Sequence, residues 1–133
     1  MSIDLRPEDF IIDTLEFDKA YYAPYIEEGL YAEVDFRVEL TDSGIEKLLS
    51  FLRYDYFNMD ENMTVDDIES VCITFFVNDF DIVSIDVDSI MVYFNGDSDY
   101  CPVNSSTMLS VENKVYAKFG GKKNFDRYIL DNI

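Results

Sequence analysis

The strands of this chain are marked by alternating apolar and polar residues. The most regular segment is Ala32–Leu40, where every second residue is apolar and the residues between them are Glu33, Asp35, Arg37 and Glu39. This alternation predicts a strand with one face against a core and the other in water. Residues 71–77 and 80–94 are rich in β-branched and aromatic side chains and predict two more strands, the second with a change of phase near residues 83–84.

Apolar residues at helical spacing predict the helices. Pro7, followed by acids, predicts a helix to about residue 17, and Ser43 with Glu46 forms a capping box at the start of a second helix. Thr64 with Asp67 predicts a short third helix. Two further helices are predicted from about residues 106 and 124, with Gly120 and Gly121 between them. Residues 95–97 predict a turn.

These elements favour one fold class. Strands and helices alternate only loosely, so we predict an α+β fold with an antiparallel sheet of about three to five strands. Three to four helices would pack against that sheet as a single pair of layers. The 133 residues contain no repeat or linker, so residues 1–133 are predicted to form a single acidic domain.

Charge is distributed unevenly along the chain. Residues 54–113 hold thirteen Asp and Glu and no Lys, Arg or His, whereas residues 114–133 hold five bases and two acids. The net charge of −18 is larger than the magnitude of roughly 2–8 that solubility requires, and its self-repulsion lowers stability. We therefore interpret the charge as functional. Two alternatives are a halophilic proteome and ordinary acidic drift.

The residue types exclude most kinds of catalytic site. Because the chain has no His, a Ser-His-Asp or Cys-His arrangement cannot form, and two cysteines alone cannot hold a structural zinc ion. The five glycines form no phosphate-binding loop. Aspartate pairs could coordinate Mg²⁺ or Ca²⁺, but residues 54–113 supply no Lys or Arg for phosphoryl transfer. We predict a protein that is not an enzyme and has no cofactor or metal, with an incidental divalent ion as the alternative.

The N-terminus and the cysteines indicate where the protein acts. Residues 1–9 lack the basic and apolar regions of a signal peptide, and no uncharged apolar run approaches the ~18 residues of a membrane-spanning helix. Cys72 and Cys101 could pair, but two cysteines do not make a disulfide framework, and Cys72 is predicted to pack inside a strand. We expect a cytoplasmic protein with no membrane partner, in the cytoplasm of a host cell if a phage encodes it.

Acidic residues recur at every second position in four places. The pairs are Glu33/Asp35, Asp79/Asp81, Asp86/Asp88 and Asp97/Asp99. On a strand, each pair lies on one face about 6.6 Å apart, close to the roughly 7 Å between neighbouring phosphates of a nucleic-acid strand. A row of such pairs could therefore enter a basic groove that normally binds nucleic acid. The alternative is a plain solvated sheet face, although such a face would ordinarily include Lys.

Tyrosines accompany the acidic residues. Tyr54 and Tyr56 flank Asp55, and tyrosine is a favoured anchor in protein interfaces. We predict that these two tyrosines and the eight acidic residues of the four pairs form the partner-binding site. For any single tyrosine, the alternative is a core position with only its hydroxyl in water.

The basic tail is too small to predict direct nucleic-acid binding. Its bases are Lys114, Lys118, Lys122, Lys123 and Arg127. Lysines near a helix C-terminus complement the helix dipole, which is the favoured interpretation. The alternative is contact between the tail and the acidic segment of a second copy, which would produce a homodimer.

In composition, the chain is similar to the small acidic inhibitors that phages and mobile elements use against restriction or CRISPR nucleases, with no shared motif. The resemblance implies a non-enzymatic inhibitor that occupies the nucleic-acid-binding surface of a basic nuclease or similar enzyme, as a DNA or RNA mimic would. One alternative is an immunity protein against a basic toxin nuclease. The other is a structural or adaptor subunit in which acidity serves only solubility.

Overall fold

The computed structural model describes residues 3–22, 32–55, 62–77 and 85–132. Within these ranges there are five strands: β1 (Phe10–Tyr22), β2 (Ala32–Leu40), β3 (Ile68–Val77), β4 (Ile85–Phe94) and β5 (Asp97–Tyr100). The α-helices of the same ranges are α1 (Asp42–Ser50), α2 (Ser105–Lys118) and α3 (Lys122–Asn132). The predicted α+β fold with an antiparallel sheet is confirmed.

The strands follow one another across the sheet in chain order, from β1 to β5, and each is antiparallel to the next. The last hairpin turns through Asn95 and Gly96, which have φ angles of 50° and 77°. A two-residue hairpin needs this left-handed pair, and Asn-Gly is the sequence that adopts it most readily. The predicted turn is confirmed, but Asp97 already belongs to β5, a strand that the sequence pattern did not predict.

The helices begin at side-chain caps. The Thr41 hydroxyl accepts a hydrogen bond from the Gly44 N–H at 3.1 Å, so α1 begins two residues before the predicted capping box. Asn104 caps α2 by accepting the Thr107 N–H at 2.9 Å. Gly120 and Gly121, with φ angles of 84° and 124°, separate α2 from α3 as predicted. The short helix predicted after Thr64 is limited to a 3₁₀ turn, Val65–Asp67, and β3 begins at Ile68.

The helix predicted from Pro7 to about residue 17 is wrong. Only Pro7–Asp9 forms a 3₁₀ turn, and the chain then enters the thirteen-residue strand β1. Register shifts occur between Ile11 and Glu16 and between Phe17 and Lys19. Because each shift moves the following side chains to the other face, β1 lacks the strict alternation that identifies a strand in the sequence.

A register shift also interrupts the pairing of β4. Thr74 pairs with Ser89, whereas Phe75 pairs with Val87, so Asp88 is an extra residue in the ladder. The change of phase predicted near residues 83–84 lies outside the described residues.

The hydrophobic core lies on one face of the sheet, which we call the inner face. Phe36 of β2 and Phe75 of β3 are at most 1% exposed and pack edge to face, with ring centroids 5.8 Å apart. Phe125 of α3 contacts both rings, at centroid distances of 5.8 and 4.7 Å. Rings of α2 and α3 therefore cover the inner face and fix the helices against the sheet.

Helix α1 packs at the start of β1, against Asp9. An added Cβ on Gly44 would lie 3.1 Å from the carbonyl oxygen of Asp9, so the close approach favours glycine. The Asp9 carboxylate is 4% exposed and accepts hydrogen bonds from the Lys47 Nζ at 2.7 Å and the Arg6 N–H at 2.8 Å. Burial alone would raise the pKa of Asp9, but the Lys47 and Arg6 interactions together lower it below its usual value.

Candidate partner-binding surface

The register of the sheet decides which acidic residues share a face. Asp35 pairs with Thr74, and Glu33 pairs with Phe76, on the side opposite the core, which we call the outer face. Asp97 pairs with Phe94 and Asp99 with Val92, both of which belong to the core. The pair on β2 and the pair on β5 therefore lie on opposite faces, and the described carboxylates do not form one continuous row.

Asp35 is not a surface charge. The alternation in β2 predicts that its carboxylate lies in water, but it is 2% exposed, and this expectation is wrong. Thr74 Oγ1 donates to Asp35 Oδ1 at 2.8 Å, and the Tyr93 hydroxyl donates to Asp35 Oδ2 at 3.0 Å. Two hydroxyl donors thus replace water around a buried carboxylate, as burial of a charge requires. Glu33, two residues earlier on β2, is half-buried.

The side chains around Asp35 form a polar layer on the outer face. Tyr93 pairs with Ser70 while its hydroxyl reaches Asp35, so its ring crosses above Cys72. Cys72 is fully buried there, as predicted, but outside the hydrophobic core. Burial, with the nearby charges of Asp35 and Asp18, raises the pKa of the Cys72 thiol to about 11. Lys19 places its ammonium 5.3 Å from the centre of the Tyr93 ring.

The second cysteine lies elsewhere. Cys101 is buried just after β5, and burial raises the pKa of its thiol to about 12. Both cysteines are free, so they do not pair in this structure. Thiols with raised pKa values are poor nucleophiles.

The sheet order brings the base-free part of the sequence together in space. Strands β3, β4 and β5 come entirely from residues 54–113 and lie side by side, ending at the β5 edge. The bases of the sheet, Lys19 and Arg37, belong to β1 and β2. A gap in the sequence has become one half of the sheet without Lys or Arg on its strands.

Four acidic residues lie around one corner of this half, where β3 begins beside the β4–β5 turn: two are bonded to the turn, one precedes them in the chain and one directly follows the turn. We call the four residues, Asp66, Asp67, Glu69 and Asp97, the acidic corner. The Glu69 carboxylate accepts the Gly96 N–H of the turn at 2.7 Å, and the Asn95 N–H bonds to the Asp67 carbonyl at 3.3 Å. The Asp67 carboxylate is held by the Thr64 N–H at 2.8 Å. Backbone donors therefore hold the Asp67 and Glu69 carboxylates in place, and a neutral N–H group leaves their charge unpaired by a base.

The ion pairs of the described residues lie away from the acidic corner. Arg37 pairs with Glu16 and Asp18 on β1. The remaining pairs join Arg6 to Asp4, Lys47 to Asp9 and Lys122 to Asp126. Within the described ranges no ion pair includes a member of the corner, although Arg53 donates to the nearby Met63 carbonyl and Arg37 lines a cleft together with Glu69.

Two exposed apolar side chains directly neighbour acidic residues of this half of the sheet in the sequence. Val65 directly precedes Asp66 and is 52% exposed, and Tyr100 follows Asp99 on the edge strand and is 60% exposed. Large apolar groups beside charge are common at the centre and rim of protein interfaces. Tyr100 is an anchor candidate that was not predicted, although its position directly after the second acid of an Asp-Ser-Asp segment is a signal in the sequence.

The other predicted site residues are only partly accounted for. Asp86 and Asp88 lie on β4 and Tyr54 lies in the π-helical turn Phe51–Asp55, but their side chains are outside the described structure. Tyr56, Asp79 and Asp81 lie outside the described residues altogether. In the described ranges, no group of three or more Cys, Asp or Glu is arranged to hold a metal ion. No helix in those ranges has the length and apolarity needed to cross a membrane.

Comparison with known proteins gives no relative for this arrangement. No family model, curated protein or solved structure matches the chain.

Proposed function

We propose that this protein is a non-enzymatic inhibitor that binds a basic, nucleic-acid-binding surface of another protein, such as a nuclease. The observation that carries the proposal is the half-sheet of β3, β4 and β5, whose strands contain no Lys or Arg and end at an exposed edge. Ordinary surfaces mix both signs of charge, and an edge strand is usually protected by Lys. A surface selected to meet a basic partner would lose those lysines.

The acidic corner is the part of this half best suited to the contact. The Asp67 and Glu69 carboxylates are held by backbone N–H groups, so these two would lose little conformational freedom on binding. Opposite charges would attract the corner to a basic groove, and salt would weaken that attraction by screening it. The charge would mainly accelerate and orient the encounter, while Val65 and Tyr100 would supply apolar contact area.

The positions of the carboxylates limit how closely the protein can imitate a nucleic-acid strand. Since Asp35 is buried and the Asp97/Asp99 pair faces the other side of the sheet from Glu33, the described residues supply a cluster of charges, not a phosphate-like row. The proposal therefore concerns competition for a basic surface. Copying the regular spacing of a nucleic-acid backbone is not part of it.

Competition for a captured partner tests the proposal. The immobilised protein is incubated with lysate of its source or host, and bound proteins are eluted with a short DNA duplex, a neutral dextran, or increasing salt. We expect the duplex, and not the dextran, to release the partner. Affinity should also fall between 50 and 200 mM salt, because salt screens the attraction between exposed opposite charges.

A matched pair of variants locates the surface. One reverses the acidic corner to Lys, and the other reverses four exposed acids outside residues 54–113: Asp13, Asp42, Glu46 and Asp131. Both variants have the same net charge, so loss of capture only by the corner variant would support the assigned surface. Equal loss from both, or a partner that neither DNA nor salt releases, would contradict the proposal.

A further inference from the structure

A small cavity lies on the outer face beside the buried carboxylate of Asp35. It has a volume of about 70 Å³ and is lined by Glu33 and Asp35, by the hydroxyl-bearing Thr74, Ser89 and Tyr93, and by Tyr100. Asp35 and Thr74 are each 2% exposed, whereas Tyr100 is 60% exposed. The cavity thus has a buried polar floor and an exposed aromatic rim.

The size of the cavity restricts what can enter. The open cavity has room for a few water molecules or one small polar group, and not for a folded segment. The charged end of a single side chain would fit.

The chemistry of the lining favours a cation with several donors. Two carboxylates line the cavity, and among the described residues no Lys or Arg does. Each Asp35 oxygen accepts one hydroxyl hydrogen bond, from Thr74 or Tyr93, and a carboxylate oxygen can accept a second. The acceptors point from fixed positions on β2, β3 and β4, which suits a rigid group with several N–H donors.

The protein itself places a cation against this aromatic wall. Lys19 holds its ammonium 5.3 Å from the centre of the Tyr93 ring, which shows that the ring accepts positive charge. Tyr100 at the rim offers a second ring. A planar guanidinium stacks on tyrosine rings and donates several hydrogen bonds at once, which an ammonium does less well.

We propose that this cavity, lined by Glu33, Asp35, Thr74 and the Tyr93 and Tyr100 rings, binds an arginine side chain of the partner protein. The inference rests on the proposed function, because it assigns one specific contact to the same basic partner. The arginine would enter past Tyr100 and direct its guanidinium toward Glu33 and Asp35. The acidic corner would attract the partner, and this cavity would fix its position.

Titration with a small probe tests the cavity without the partner. N-acetyl-arginine amide is added to isotope-labelled protein, and NMR follows the Met91 methyl group, another group in the cavity wall, and the backbone amides of Glu33, Thr74 and Ser89. We expect saturable shifts confined to these groups. N-acetyl-citrulline amide, which has nearly the same shape without the charge, should cause no saturable shift.

Two variants on one strand distinguish binding at this cavity from a general effect of negative charge. Glu33→Gln should weaken binding of the arginine probe roughly tenfold, as expected for loss of a charged hydrogen-bond partner. Glu39→Gln, on the same strand and the same outer face but outside the cavity lining, should leave binding unchanged. Tyr100→Ala removes an exposed ring, so it should weaken binding without unfolding the protein.

Three results would overturn the proposal: no saturable shift, equal weakening by Glu33→Gln and Glu39→Gln, or tighter binding of N-acetyl-lysine amide than of the arginine probe. Its failure can be told apart from failure of the proposed function. If the cavity binds no arginine but DNA still releases a captured partner, only the cavity is wrong. If the probe binds at the cavity but DNA releases nothing, the proposed function is wrong.

Discussion

The inner and outer faces of the sheet exclude water in different ways. On the inner face, the rings of Phe36, Phe75 and Phe125 lie within 5.8 Å of one another, centre to centre. On the outer face, the equally buried Asp35 and Thr74 are joined by hydrogen bonds. On the inner face, burial is stabilised by close packing of complementary side chains. On the outer face, burial requires that the polar groups form hydrogen bonds.

This difference between the faces shows how the carboxylates of this acidic protein are accommodated when they are buried. A buried carboxylate needs donors at fixed positions, which Thr74 and Tyr93 provide for Asp35 and which Lys47 and Arg6 provide for Asp9. Carboxylates of the acidic corner instead remain near water. The acids therefore divide into buried groups that organise the fold and exposed groups that create the charge field.

The largest expected effect is on the inner face. Phe125→Ala would remove a fully buried ring that contacts Phe36, Phe75 and Phe119, and we expect a loss of about 3–5 kcal/mol in the free energy of unfolding. Urea unfolding measures it. Tyr100→Ala, which removes an exposed ring, should change stability by less than about 0.5 kcal/mol. A similar loss in both variants would show that the α3 ring does not hold the core.

The sequence predicted the inner face well because its residues follow simple periodicities. β2 shows strict alternation, and the α2–α3 boundary is marked by Gly120 and Gly121. Prediction failed where register shifts interrupt the period, as in β1. It also failed for β5, since Asp97–Tyr100 has only four residues and a polar sequence.

An intermediate effect on stability is expected at Asp9. Its buried carboxylate is paired with an ammonium group, whereas that of Asp35 is bonded by hydroxyl groups. Lys47→Met would leave the Asp9 carboxylate buried without its ammonium, and we expect a loss on the order of 2 kcal/mol at pH 7. The folded-state pKa of Asp9 is lowered, so its contribution to stability is present above about pH 4 and is lost as the pH falls through that lower pKa.

The pH dependence of urea unfolding, from pH 7 to pH 2, checks this prediction. The difference between the parent protein and Lys47→Met should shrink below about pH 4, as the pH falls through the lowered pKa of Asp9. Lys123→Met, which removes an exposed lysine, is the control for the change in net charge. A difference that stays constant to pH 2 would mean that Lys47 acts through packing alone.

The outer face could not be predicted because its burial is not local. The pattern of β2 assigns Asp35 and Arg37 to the same polar face, yet one is buried and the other exposed. Tyr93 is one of the residues that bury Asp35, and it lies 58 residues away in the chain. No rule of sequence spacing connects the two positions. Similarly, the acidic corner forms because the β4–β5 turn returns to the start of β3.

The smallest expected effects on stability come from two opposite substitutions, threonine to valine on the outer face and valine to threonine on the inner face. Thr74→Val on the outer face removes the donor to Asp35 Oδ1 with little change of shape, and we expect a loss of about 1–2 kcal/mol. Val34→Thr, at a fully buried inner-face position, introduces a hydroxyl among apolar side chains and should cost about 1–3 kcal/mol. Urea unfolding of both variants compares them directly. If Thr74→Val left stability unchanged or raised it, the outer face would tolerate apolar packing as the inner face does, and the hydrogen bond to Asp35 would not be what stabilises it.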